Sequence, residues 1–352
     1  MIDFMSTESH LLLNPRLPEE DRRVLLGIYA TAPALAGHVW IATSGSMGGW
    51  KLVGLSKEAL LASAAAVNRR LDVRGGETWC CVLPSFHVGG LGIWARSSIS
   101  GGHIVELSWD PHAFVAACEG AAFSSLVPAQ VVDLVRAGLH APSALRAIVV
   151  GGGAMSARTH DDARALGWPV LPSYGMTECC SQIATATHDG PELLLLDHLQ
   201  ARVEPDGRLA FSGSSLLTGY ATENGFFDPK VDGWFVSDDV GVVEGRTVRI
   251  EGRAGDVIKV GGELVNLRRL DGILEDVLRD RSDIDAALIA MPDERLGNVI
   301  HAAIAGEPGT LVEEFDRRVA PFERIRVVHR VEVIPRSALG KLLRKKLAES
   351  LG

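Results

Sequence analysis

The 352-residue chain has few of the features that mark several large protein classes. Its five cysteines (Cys80, Cys81, Cys118, Cys179 and Cys180) offer no CxxC spacing, which argues against a zinc site. Their odd number, in a chain this long, argues against a disulfide framework and for reduced thiols in a cytoplasmic setting. Asp3 and Glu8 stand near the amino end, and no basic segment leads into an apolar core there, so the pattern of a secretory signal is missing. The apolar stretch 59–67 falls far short of the ~20 residues a membrane span needs. Positive charge is also scarce. Lys and Arg number 35 against 44 Asp and Glu, a net charge of −9, so a broad electrostatic surface for nucleic acid is absent. A local basic pocket for a small anion is compatible with that balance. The chain shows no internal repeat and no low-complexity tract.

What is present is the composition of a globular protein, 47% hydrophobic and 22% charged. At roughly 100–200 residues per domain, the length predicts two domains. Strand patterns at 38–42, 79–83, 103–107, 123–127, 146–150 and 170–172 alternate with helical ones at 57–71, 111–118 and 128–138. Ser56, Asp110 and Ser156 are the N-caps, with Pro111 at the first helical position. This alternation predicts an α/β layer with a mostly parallel sheet. Residues 1–35 are weakly patterned, and 43–50 reads as a loop between a strand and a helix. Near residue 190 the texture changes to hairpins, 201–204 with 208–212 and 241–244 with 247–251. From about 255 a compact α+β unit follows: helix 267–279, strands 284–290 and 299–305, helix 311–319, strand 326–333 and a basic terminal helix. The expected organisation is a large α/β domain over 1–253, β-rich from about 191, and a small α+β domain over 254–352.

The segment Thr43-Ser44-Gly45-Ser46-Met47-Gly48-Gly49-Trp50-Lys51-Leu52-Val53 follows the first strand. Small residues let successive backbone N–H groups turn toward an anion, hydroxyls add donors, and Lys51 adds a point charge. The spacing is not the GxxxxGK[ST] loop, and an ordinary Gly/Ser-rich loop is the plain alternative. The segment resembles TSGSTGxPKxV, the phosphate-binding signature of the adenylate-forming superfamily of acyl-CoA synthetases, luciferases and adenylation domains. Met47 replaces a threonine and Trp50 a proline. Further family motifs follow in order. Pro172-Ser173-Tyr174-Gly175-Met176-Thr177-Glu178 resembles YGxTE. Gly233-Trp234-Phe235-Val236-Ser237-Asp238-Asp239 resembles GWFxTGD, and 252–259 resembles GRxxDxIK. Gly261-Gly262-Glu263 matches GGE, 291–297 matches xPDxxxG, and 335–341 matches PRxxxGK.

The resemblance implies attack of a carboxylate on the α-phosphorus of ATP, release of pyrophosphate, then thioester formation with coenzyme A. It implies that Thr43, Ser44, Gly45, Ser46, Gly48 and Lys51 hold the β- and γ-phosphates. Thr177 would bond the α-phosphate and Glu178 would bind Mg²⁺. Tyr174 would lie against adenine opposite Gly151, Gly152 and Gly153, with Ser173 and Gly175 beside it. Asp239 and Arg253 would hold the ribose. Lys341 would bridge the attacking carboxylate and the α-phosphate. Gly261 and Gly262 would leave room for the coenzyme A thiol. The small domain would be mobile about a hinge at Ala254 and Gly255, the latter standing where the family commonly has an acidic residue or a lysine. Plain alternatives exist for three of these: a helix-start acid for Glu178, a core aromatic for Tyr174, one more cation of a basic helix face for Lys341.

Residues 84–96 carry the substrate expectation. Pro84-Ser85-Phe86-His87-Val88-Gly89-Gly90-Leu91-Gly92-Ile93-Trp94-Ala95-Arg96 resembles the o-succinylbenzoate–CoA ligases of menaquinone biosynthesis, and so does the short stretch ahead of the phosphate loop. Their substrate keeps a second carboxylate, and a guanidinium in the position of Arg96 would pair it. His87 would gate the same acyl pocket. A surface arginine on a helix and a satisfied buried histidine are the bland readings. Other aryl or short-chain acids, and a degenerate AMP-binding protein that no longer turns over, are the alternative functions. No nucleic-acid partner and no membrane span are expected; a homodimer is left open.

Overall fold

The structure, a computed structural model, describes residues 2–44, 49–254, 256–279, 281, 283–336 and 342–351. Two compact units divide the chain. The first takes Met1–Glu204, Ala210–Val236 and Val243–Arg249; the second takes Pro205–Leu209, Ser237–Val242 and Ile250–Gly352.

The first unit opens with β1 (His10–Leu12), α1 (Glu19–Thr31), β2 (His38–Ser44) and β3 (Trp50–Ser56). The weakly patterned amino-terminal stretch thus holds a 13-residue helix, which buries only Leu25 and Ile28. So narrow an apolar stripe leaves little periodic signal. The expected loop-to-helix passage is also corrected. β2 and β3 pair antiparallel, with Thr43 opposite Lys51 and Ser44 opposite Trp50, so Lys51 lies on a strand. Residues 52–55 of β3 are all buried, and such a run lacks the alternation that marks a half-exposed strand.

There follow α2 (Lys57–Arg70), β4 (Thr78–Cys81), α3 (Val88–Ser100), β5 (His103–Glu106), α4 (Pro111–Cys118) and β6 (Phe123–Leu126). Next come α5 (Pro128–Arg136), β7 (Ala147–Val150), α6 (Ala157–Ala165), β8 (Val170–Met176), β9 (Ser181–Thr187) and β10 (Gly190–Leu195). Seven of these strands run side by side in the order β10-β9-β8-β7-β6-β4-β5. Pairing is parallel from β5 to β8 and antiparallel at β8–β9 and β9–β10. The expected caps form: Ser56, Asp110 and Ser156 accept from the backbone N–H three residues on.

Both faces of the parallel sheet are covered, as such sheets require. Cys80, Leu126, Ile148 and Val170 meet Phe114, Cys118, Val131 and Trp168 on one side. Trp79, Cys81, Phe123, Val149 and Leu171 meet Val67 and Ile93 on the other. Adjacent Cys80 and Cys81 therefore enter opposite cores, and all five cysteines are buried. The first unit also holds β11 (Leu199–Val203), β13 (Gly219–Thr222) and β14 (Gly225–Phe227), while β12 (Arg208–Gly213) begins in the second unit. β13 and β14 complete a small sheet in the order β1-β2-β3-β13-β14. Strands β15 (Phe235–Glu244) and β16 (Thr247–Arg253) form a hairpin whose tip, Val243–Arg249, belongs to the first unit.

The second unit continues with β17 (Val257–Val260), β18 (Glu263–Asn266), α7 (Leu267–Leu278), β19 (Asp285–Asp293) and β20 (Gly297–Ala305). It ends with α8 (Leu311–Asp316), β21 (Ile325–Arg330) and α9 (Arg344–Glu349). β19 and β20 pair in unbroken register from Asp285–Ala305 to Asp293–Gly297, and β21 joins β20 parallel. Leu267, Leu270 and Leu274 of α7 pack on this sheet with Ile300, Ala302 and Phe315. Among the described residues, no helix is long and apolar enough to cross a membrane.

Candidate functional site

Ligands of α/β sheets gather outside the carboxyl ends of the parallel strands. Several candidate residues lie there. Gly151, Gly152 and Gly153 follow β7, and Ser173 to Thr177 run off the end of β8. His87 caps α3 beyond β4. Gly152 has φ +81°, and a Cβ on Gly151 would lie 3.7 Å from the Ser173 carbonyl oxygen, so this glycine turn lies beside β8. Tyr174 is half-buried, its ring 6.0 Å from that of Phe211. At Gly175 any side chain is excluded, because a Cβ would lie 1.8 Å from the Ser181 carbonyl oxygen.

After β8 the chain makes one short turn, Thr177–Cys179, and Cys180 and Ser181, the latter the first residue of β9, take positive φ. That turn brings Glu178 to the small sheet. The Lys51 ammonium lies 3.1 Å from Glu178 Oε1. The Tyr220 hydroxyl donates to the same oxygen at 2.8 Å. The ammonium also lies 3.8 Å from the centroid of the Tyr220 ring. Register explains the grouping: Tyr220 on β13 is opposite Val53 on β3, two residues beyond Lys51. The Leu217 N–H, donating to the Glu178 carbonyl at 2.8 Å, ties the turn to the segment before β13. Nearby in sequence, the Thr43 hydroxyl is buried without a hydrogen-bond partner among the described residues. Gly45, Ser46 and Gly48 lie outside the described residues, and Ser44 is placed by its backbone alone. Trp50, which departs from the family pattern, has a local reason: its indole N–H donates to Asp21 of α1 at 2.8 Å.

A second cation sits deeper. Arg96 on α3 is 2% exposed, so the surface-arginine reading is set aside. Its Nη1 donates to the Ser125 hydroxyl at 3.3 Å and its guanidinium carbon stands 5.3 Å from the Trp79 ring centroid. Nε has no partner, and no carboxylate forms an ion pair with it among the described residues. Burial pulls its pKa down to about 10, so it stays charged at neutral pH. Gly92, one helical turn earlier, makes room: a Cβ there would lie 3.1 Å from Nη2. His87 is half-buried against Phe86, with ring centroids 4.7 Å apart, and burial lowers its pKa.

In the second unit, Arg253 Nε donates to Asp239 Oδ1 at 3.1 Å. Asp239 is buried, and its N–H donates to the Ser237 hydroxyl at 3.2 Å. Asp238 is exposed; its carbonyl accepts from the Ala254 N–H at 2.7 Å. Gly261 and Gly262 form the two-residue turn of the β17–β18 hairpin, with φ +59° and +94°. A turn with both central residues at positive φ favours glycine on backbone grounds alone. Gly255 and Lys341 lie outside the described residues.

A family profile described as AMP-binding enzyme matches residues 36–220. The chain belongs to the AMP-binding enzyme family. Among curated relatives, a probable 2-succinylbenzoate–CoA ligase of Mycobacterium tuberculosis is 32% identical over 330 residues, covering 87% of this chain and 82% of the relative. A 2-succinylbenzoate–CoA ligase of Listeria monocytogenes is 30% identical, covering 87% and 68%. The fold matches that of o-succinylbenzoate coenzyme A synthetase from Bacillus subtilis in complex with ATP and magnesium ion. That match has a TM-score of 0.83 and 22% identity, and covers 96% of this chain and 83% of that one.

In this AMP-binding enzyme, sequence reasoning missed Tyr220, Ser125 and Asp21, each a partner of a residue it did single out. Tyr220 had a faint signal, as one of three tyrosines in the chain, preceded by a glycine. Ser125 had none. Its role depends on β6 lying under α3, which no local pattern reports.

Proposed function

We propose that this AMP-binding enzyme is an AMP-forming acid–CoA ligase and that its acid is o-succinylbenzoate. The observation that carries the choice of acid is Arg96, a buried guanidinium with one hydroxyl partner and no carboxylate among the described residues. A buried charge left without a counter-ion is costly, and a dicarboxylate substrate removes the cost with the carboxylate it does not activate. The names of the curated relatives support the same acid.

The first step is attack of a carboxylate oxygen on the α-phosphorus of ATP, with pyrophosphate leaving. The second is attack of the coenzyme A thiol on the acyl carbonyl, with AMP leaving. Both join anions, so positioning and positive charge are the main requirements. Thr43, Ser44, Gly45, Ser46, Gly48 and Lys51 take the terminal phosphates, and the orphaned Thr43 hydroxyl fits a phosphate oxygen. Thr177 takes the α-phosphate. Tyr174 with Gly151, Gly152 and Gly153 holds adenine, flanked by Ser173 and Gly175. Asp239, an ionised carboxylate with two acceptor oxygens, and Arg253 take the ribose. Lys341 supplies charge at the attacking carboxylate. His87 closes the acyl pocket, Gly261 and Gly262 admit the thiol, and residues 254–352 move about Ala254 and Gly255. Glu178 fits Mg²⁺, a hard cation that prefers oxygen ligands. Both donors to Glu178 reach Oε1, and among the described residues nothing bonds Oε2. When bound, Mg²⁺ neutralises phosphate charge. The co-substrates are water-soluble, and the cytoplasm is the compartment proposed.

The test is product analysis with ATP, Mg²⁺, coenzyme A and a panel of acids. Thioester and AMP should form with o-succinylbenzoate in preference to benzoate and fatty acids. Turnover confined to the monocarboxylates would overturn the choice of acid, and no turnover with any acid would overturn the reaction.

A further inference from the structure

We infer that Tyr220 is a positioning residue for the metal-bound nucleotide, acting through Glu178 and Lys51; this rests on the reading of Glu178 as the metal ligand. Three contacts carry the inference. The phenol donates to Glu178 Oε1, the Lys51 ammonium reaches the same oxygen, and that ammonium lies over the Tyr220 ring. One side chain therefore touches both members of the ion pair, one by its hydroxyl and the other by its π face.

The consequence is directional. Two donors on Oε1 hold the carboxylate by that oxygen, and among the described residues Oε2 has no hydrogen-bond partner that competes with a cation. The Lys51 ammonium, meanwhile, keeps an attractive surface on the ring when a phosphate draws it off the carboxylate. Without Tyr220, a nucleotide that pulls Lys51 away would leave Glu178 unheld at the moment the metal needs it. With Tyr220, the exchange of the Lys51–Glu178 pair for Lys51–phosphate and Glu178–metal costs less reorganisation. The neighbourhood supports a rigid placement. Tyr220 is buried in the core of the small sheet and hydrogen-bonded through its strand to β3 on one side and β14 on the other.

The experiment is ATP binding by calorimetry across a Mg²⁺ series, without acid or coenzyme A, on the wild type and Tyr220→Phe. Phenylalanine keeps the ring under Lys51 and removes the donor to Glu178. A hydrogen bond to a charged group is worth enough for about a 10-fold effect. The Mg²⁺ concentration at half-maximal ATP binding should rise about 10-fold, with metal-free ATP binding and the melting temperature within the wild-type range. A merely structural role would weaken ATP binding equally with and without Mg²⁺. That outcome, or an unchanged Mg²⁺ dependence beside a Mg²⁺-dependent wild type, overturns the inference. If wild-type ATP binding itself ignores Mg²⁺, the reading of Glu178 as metal ligand fails first.

Discussion

Two cations of the first unit, Lys51 and Arg96, solve the problem of burial in opposite ways. Lys51 is partly exposed and compensated twice over, by a carboxylate oxygen and an aromatic face. Arg96 is fully enclosed on α3 with a hydroxyl 3.3 Å away, a ring beneath it and an orphaned Nε. The first arrangement is stable without ligand and has to be opened by one. The second is stable only to the extent that the rest of the fold tolerates it, and the partner proposed for it is the carboxylate of a substrate. A site that completes itself reads as the place where a ligand brings its own counter-ions, as a metal-bound nucleotide does. A site left incomplete reads as the place where a bare anion enters.

The sharpest way to break that contrast is Arg96→Leu. Removing a cation that pairs a buried carboxylate should cost about 3–5 kcal/mol of binding, roughly 10²–10⁴-fold in KM for o-succinylbenzoate. KM for ATP should stay within a few-fold. Stability should move the other way: an uncompensated buried charge replaced by an apolar side chain should raise the melting temperature or leave it unchanged. Steady-state kinetics and thermal unfolding of the same variant check both halves. A variant that loses stability and keeps its acid affinity would make Arg96 an ordinary structural residue.

His198 extends the contrast to a base that can give up its charge. Neither ring nitrogen has a hydrogen-bond partner among the described residues, and burial lowers its pKa to about 4. It therefore stays neutral where Arg96 cannot. The unfolded chain binds a proton near pH 6.5 that the folded chain refuses until about pH 4, so this contribution is complete above pH 6.5 and is lost on acidification. At pH 4 the loss should reach roughly 2–3 kcal/mol. Denaturant unfolding of wild type and His198→Phe at pH 7 and pH 4.5 measures it. The variant should lose less stability over that interval, and equal losses would place the burden on other groups.

How much of this was legible in the sequence follows from what each residue depends on. The parallel sheet and the caps at Ser56, Asp110 and Ser156 rest on local patterns, and they stand in the structure where those patterns put them. Glu178 and Lys51 were found as members of motifs. Their meeting was not, because residues 127 apart in sequence are joined by the register of two sheets. α1 and β3 escaped for a simpler reason. A helix that buries two residues and a strand buried without alternation both lack the period that pattern reading needs. The depth of Arg96 was the hardest part. The residue type favours the surface, and only the absence of side chains at Gly92 and nearby Gly90 hints that the helix face is crowded.

The smallest predicted effect closes the comparison, because its sign is the informative part. Lys51→Met should raise KM for ATP about 10-fold, the worth of one charge-assisted contact to phosphate, and should leave KM for the acid unchanged. It should lower stability by about 1 kcal/mol, since a partly screened ion pair and a cation–π contact are lost and, among the described residues, the Glu178 carboxylate keeps only the Tyr220 hydroxyl. Arg96→Leu and Lys51→Met thus remove one positive charge each from the same unit, the first expected to raise or keep the melting temperature and the second to lower it, with different substrates affected. If both variants shift stability in the same direction, the distinction between a compensated and an uncompensated cation is not the one that organises this site.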